Sequence, residues 1–152
     1  MARQKKHPKD HAAPSAMYNC TAMNLRMATR AVTQFYDGFL AETGVSGPQF
    51  SLLAILSVVG PIGMSRLAER MVMDRTTLTR NLKPLERDGL VEIRPGEDRR
   101  ARLVAMTDAG RAAFERARPR WAAAQSAIRK RLGDDDWQSL IARLQSTVAA
   151  IR

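Results

Sequence analysis

Cations and hydroxyls crowd one short stretch, Arg75, Thr76, Thr77, Thr79, Arg80 and Lys83, with Leu78, Leu82 and Leu85 set among them at helical spacing. Wound as an α-helix, the leucines make one face and the polar residues the other. Hydroxyls and cations on a single surface suit phosphate oxygens and base edges. Arg80 has the fork for a bidentate contact to guanine, whereas Arg75, Thr79 and Lys83 suit phosphates. A second polar group, Asp98, Arg99 and Arg100, lies in the segment 95–101, which is too polar to be buried. An arginine at such a tip suits a narrow A·T-rich minor groove, where negative potential is concentrated. The same residues also fit an ordinary solvated hairpin turn.

Short elements must hold these groups. Ser65 is placed to cap a first helix that buries Leu67, Ala68 and Met71. Met73 closes its apolar side. Asp74 then caps the polar helix, where its charge also favours the helix dipole. Gly89 supplies the left-handed residue that ends that helix, with Leu90 folding back onto the last turn. Val91 and Ile93 alternate with Glu92 and Arg94, and Leu103 and Ala105 alternate with Arg102, Val104 and Met106, as in two half-buried strands. Pro84 inside the polar helix removes a hydrogen bond and allows a bend. Helix, turn, polar helix and arginine-tipped hairpin is the order of a winged helix-turn-helix, whose second helix enters a major groove while the hairpin reaches a minor groove.

The sequence DRTTLTRNLKPLERDGLV, followed by DRR and LVAMTDAGR, resembles the MarR family of bacterial transcriptional regulators. That family combines an ELA-type short helix, a DR-S/T-x-x-x-R helix, a GLV strand start, a D-x-R wing and an LT-x-x-G helix start. Arg66-Leu67-Ala68 stands here where the family often has Glu-Leu-Ala. The resemblance implies that Asp98 steadies the wing tip and that Arg100 enters the minor groove. It also implies a two-fold dimer built from terminal helices, and a repressor that a small ligand releases from DNA. The segment CTAMNLRMATRAVTQFYD resembles the first helix of a subgroup with an NLR-x-A-x-R-x-x-T-x-x-YD pattern, in which that helix contributes to dimerisation and to the effector pocket wall.

The remainder of the chain fits that plan. Residues 1–18 read as a basic mobile tail, and Pro8 disfavours a helix that would align His7 and His11 as metal ligands. The apolar residues between 19 and 42 recur at three- and four-residue steps, so a long helix is expected to end at Gly44; by itself it reads as an ordinary core helix. Ser46-Gly47-Pro48 opens a second helix, apolar almost all round through Phe50, Leu52, Leu53, Ile55, Leu56 and Val59. The break at 60–63 offers a short extended segment to pair with the wing. Thr107 and Asp108 start a further helix, with a kink expected near Pro119, that runs to Leu132 with Phe114, Ala117, Trp121, Ala124 and Ile128 on one side. Asp134, Asp135 and Asp136 cap a last helix whose stripe of Trp137, Leu140, Ile141, Leu144, Val148 and Ile151 has no evident partner within one small domain. The expected architecture is mainly α, a winged helix-turn-helix over 46–106 with a helical dimerisation region from 19–45 and 107–152.

Composition narrows the partners. The formal charge of the 152 residues is +10, which favours an anionic partner, with double-stranded DNA ahead of a membrane surface. No apolar run is long enough to span a bilayer, so a cytoplasmic, non-membrane protein is expected. No glycine-rich phosphate loop, metal-ligand cluster or paired nucleophile and base is visible, which argues against an enzyme, a metal or a cofactor. Cys20, the single cysteine, reads either as a redox sensor at a helix start or as a small buried hydrophobe. A ligand pocket is the other switch: Met23, Met27 and Phe35 offer adaptable apolar surface, and Arg30 a cation for an aromatic acid or phenol. A non-specific architectural DNA-binding protein is the remaining alternative.

Overall fold

The computed structural model describes residues 18–96 and 101–152, so the basic tail, His7 and His11, and the wing-tip residues Asp98, Arg99 and Arg100 lie outside the described residues. The chain divides into two compact units, Met1–Gln34 and Phe35–Arg152. In order, the elements are α1 (Thr21–Leu40), a single 3-10 turn (Ala41–Thr43), α2 (Gly47–Val59), β1 (Ile62–Gly63), α3 (Met64–Arg70), α4 (Arg75–Arg87), β2 (Val91–Pro95), β3 (Arg102–Met106), α5 (Asp108–Leu132) and α6 (Asp134–Ile151).

Helix α2 is held by the capping box that Ser46 and Gln49 form, and it buries Phe50, Leu52, Leu53 and Leu56. Phe50 stacks between Phe114 and Trp121 of α5, at ring separations of 5.1 and 5.5 Å, so the apolar side of α5 closes over α2. Leu67 from α3 and Leu78, Leu82 and Leu85 from α4 complete this core. The three strands form an antiparallel sheet in the order β1-β3-β2. The segment expected to pair with the wing does so, through Ile62 opposite Val104.

Register corrects the face assigned to β3. Val104 lies opposite both Ile62 and Ile93 and is fully buried, while Leu103 remains half-buried. A central strand flanked on both sides places its inward residue between its two neighbours' inward residues. Ala105, on the opposite face, is buried as well.

Two expected caps also change. Gly63, not Ser65, is the N-cap of α3, because β1 runs straight into the helix and Met64 must turn inward as its first residue. Gly133 precedes α6, so Asp134, Asp135 and Asp136 occupy its first turn and supply favourable charge rather than a side-chain cap. Helix α1 is no core helix by its burial: of Thr21–Leu40 only Leu40 is buried, and Leu25, Met27 and Val32 are exposed. Helix α5 is continuous through Pro119.

Candidate nucleic-acid interface

Helix α4 is fixed at both ends. The Asp74 carboxylate accepts the Thr77 backbone N–H at 2.8 Å and the Thr77 hydroxyl at 2.6 Å, and these bonds hold its carboxyl below the usual carboxylate range. The far end closes with Gly89 at φ +69° and with the Leu90 N–H donating to the Leu85 carbonyl at 2.8 Å. Between these ends Leu78, Leu82 and Leu85 are completely buried, which fixes the helix's rotation about its axis. Pro84 lies within it and leaves the helix unbroken.

With the leucines inward, Arg75, Thr76, Thr79, Arg80 and Lys83 all line one open surface. Five of the six expected helix residues are thus brought together. Thr77 is the exception, half-buried with its hydroxyl committed to Asp74. Thr79 donates its hydroxyl to the Arg75 carbonyl at 2.8 Å, which keeps it on the exposed side with lone pairs still free to accept.

A neighbouring depression joins α4 to the sheet and is lined by Met64, Arg75, Thr79, Glu86, Ile93 and Arg102. Arg102 therefore extends the cationic surface from the helix to the wing strand. Sequence reasoning passed over it as one outward residue of a strand; its position opposite Pro95, at the base of the hairpin, was the available signal. The hairpin narrows there, with the Gly96 N–H donating to the Ala101 carbonyl at 2.8 Å.

The other candidates are more dispersed. Met23, Met27 and Arg30 share a surface depression of α1 with Cys20, Ala22 and Arg26. Cys20 is exposed, against the reading of a buried small hydrophobe, and its carbonyl accepts the Asn24 N–H at 3.0 Å. Phe35 instead packs on Phe39 at 5.2 Å, with the Arg131 guanidinium 4.7 Å from its ring centre. Beside it, the Tyr36 hydroxyl donates to Gln125, and burial raises the Tyr36 pKa. Among the described residues no cluster of potential metal ligands occurs, and no helix is long and apolar enough to cross a membrane.

The chain is similar to known proteins in sequence and in fold. The MarR family model matches residues 45–101, which hold α2, β1, α3, α4 and β2. The transcriptional activatory protein BadR of Rhodopseudomonas palustris is 34% identical over 129 residues, covering 76% of this chain and 69% of that protein. The HTH-type transcriptional regulator YwoH of Bacillus subtilis is 29% identical over 91 residues, covering 60% and 66%. Among solved structures, the M. tuberculosis transcriptional regulator MosR in complex with DNA superposes with a TM-score of 0.77 at 39% identity, over 88% of this chain and 98% of that one. A buried leucine face, an outward cationic helix, a three-stranded wing and relatives of this identity and coverage together place the chain in the MarR family of DNA-binding transcriptional regulators.

Proposed function

We propose that the chain is a homodimeric repressor that binds a pseudo-palindromic operator and leaves it when a small aromatic acid or phenol binds. The carrying observation is the surface of α4: Arg75, Thr76, Thr79, Arg80 and Lys83 face outward together on a helix locked by three buried leucines. In this reading Arg80 contacts a base edge, Arg75 and Lys83 hold phosphates, and Asp98, Arg99 and Arg100 form the wing tip in the minor groove. The uncovered apolar stripe of α6 supports a dimer, since Leu140, Leu144, Val148 and Ile151 are all exposed in the single chain. MosR is described in complex with DNA, which supports DNA as the partner.

BadR is described as activatory, so the sign of regulation rests on where the operator lies relative to the promoter. Repression follows where the bound dimer excludes polymerase. Release follows from population shift, with a ligand preferring the conformation whose helices no longer match the two half-sites. Met23, Met27, Arg30 and Phe35 are the residues proposed to meet it. Because Cys20 is exposed, oxidation is the second reading. Loss of operator binding in peroxide that disappears in Cys20→Ser would replace the ligand with the thiol.

The test is enrichment of random-sequence duplex DNA by the purified protein. The expected product is an inverted repeat with half-sites about ten base pairs apart. Enrichment of no sequence would indicate an architectural protein, and a single asymmetric site would rule out the two-fold reading.

A further inference from the structure

The junction between the end of α4 and the start of α5 holds more bonds than a helix cap needs. Thr107 is the N-cap of α5, and its Oγ1 accepts the Gly110 N–H at 3.0 Å. That bond alone satisfies the cap. The same hydroxyl also donates to the carbonyl of Gly89, the left-handed residue that terminates α4, at 2.6 Å. The Thr107 N–H donates to the next carbonyl, that of Leu90, at 3.2 Å. A Cβ at Gly110 would collide with the Leu90 carbonyl oxygen, and would lie 2.8 Å from Met106 Cγ. The first turn of α5 therefore rests directly on the backbone that ends α4.

We propose that Thr107 and Gly110 are positioning residues that fix the angle of the DNA-reading helix α4 to the long helix α5, one hydroxyl serving both helices. The carbonyls of Gly89 and Leu90, in the turn that follows α4, are both held by donors of Thr107. Gly110 lets the backbones approach closely enough for those bonds to form. A displacement of α5 is therefore carried to α4 as a movement of its C-terminal end, and the aromatic stack of Phe114 and Trp121 on Phe50 ties α5 to the same core. The T-x-x-G spacing at the start of α5 is thereby explained by two requirements: a donor that is also an acceptor, and a residue without a side chain one turn later.

The inference deepens the two-fold reading and rests on it, because a fixed angle matters most when two α4 helices must meet two half-sites at once. It separates Thr107 as a cap from Thr107 as a clamp. Aspartate is as good an N-cap acceptor as threonine but has no proton for Gly89, whereas serine has both functions. Affinities are measured for the duplex enriched from random DNA and for the same duplex with one half-site scrambled.

Wild type and Thr107→Ser are expected to prefer the intact duplex by about 100-fold or more, as linked binding sites do. Thr107→Asp keeps the cap but loses the bond to Gly89, so it is expected to lower the thermal midpoint and to keep its half-site affinity, while its preference for the intact duplex falls about tenfold. Thr107→Ala, which introduces no charge, is expected to lose preference in the same way with a lower midpoint. Retention of the full preference by both Asp and Ala variants would overturn the inference, as would equal losses on both duplexes. Equal binding of both duplexes by wild type would remove the two-fold reading, and the inference with it.

Discussion

Helices α4 and α6 are both amphipathic, yet their apolar faces have opposite fates. In α4, Leu78, Leu82 and Leu85 are each 0% exposed, sealed between α2, α3 and the sheet. In α6 no residue is buried, and Leu140, Leu144, Val148 and Ile151 are exposed by 42, 38, 44 and 79%. Helical periodicity states which residues share a face; only the topology around that face states whether this chain covers it. The first helix gains a fixed rotation, which is what aims Arg75, Arg80 and Lys83 outward together. The last is left with a surface that a second copy of the chain is proposed to cover.

Matched truncations of the two apolar faces are expected to give the largest and most different effects. Leu78→Ala is expected to cost about 2–5 kcal/mol of folding stability in urea at any protein concentration, since it opens a cavity in a sealed core. Leu144→Ala is expected to destabilise by an amount that depends on protein concentration, as for a residue whose burial requires association. A large loss from Leu144→Ala that is independent of concentration would mean that α6 packs within its own chain.

The C-terminal stops of α3 and α4 form a second contrasting pair. Both α3 and α4 close with the same pair of bonds: Val72 N–H to Glu69 and Met73 N–H to Ala68 in one, Gly89 N–H to Glu86 and Leu90 N–H to Leu85 in the other. The left-handed position is glycine in the second, but in the first it is Val72, at φ +53° and 56% exposed. A β-branched residue is strained there, and its side chain buries little in exchange. Val72→Gly is expected to raise stability by about 1 kcal/mol in thermal or urea unfolding. A loss of stability would mean that the valine makes a compensating contact.

Asp74 gives the smallest effect. Its carboxyl is held low by the Thr77 hydroxyl first and the Thr77 N–H second, so the charged form is favoured in the folded state. Stability from a lowered carboxyl is present above the unfolded value near 4 and is lost as pH falls through the folded value. Asn at this position still accepts a hydrogen bond but does not titrate. The difference in thermal midpoint between wild type and Asp74→Asn is therefore expected to shrink on acidification below pH about 4. A constant difference would show that the charge contributes nothing.

Much of the α4 region was legible because its rules are local: an aspartate cap, a leucine face, a glycine stop and alternation in β2 all act within a few residues. What was misread depended on distant partners. Val104 is the inward residue of β3 because Ile62 and Ile93 flank it from either side; pairing of the 60–63 segment with the wing was expected, but its register, with Ile62 opposite Val104, is not written in the local spacing. Ser65 looks like a cap until β1 is known to run directly into α3. Thr77 lies apart from the open surface of α4, half-buried with its hydroxyl donated to Asp74. Arg102 joins the cationic surface through sheet register, which a linear pattern does not display. The stripe of α6 was read correctly as unpartnered, although nothing in its spacing distinguishes it from a buried one.

The central claim is that the outward face of α4 reads bases and does not merely hold phosphates. It is tested most directly by the affinity of wild type and Arg80→Ala for the enriched duplex and for a scrambled duplex of equal length and at equal salt. Arg80→Ala is expected to lose about 1–3 kcal/mol on the enriched duplex and much less on the scrambled one, with relaxed preference at one base pair per half-site. Equal losses on the two duplexes would show that Arg80 contacts only the backbone, and would contradict the account.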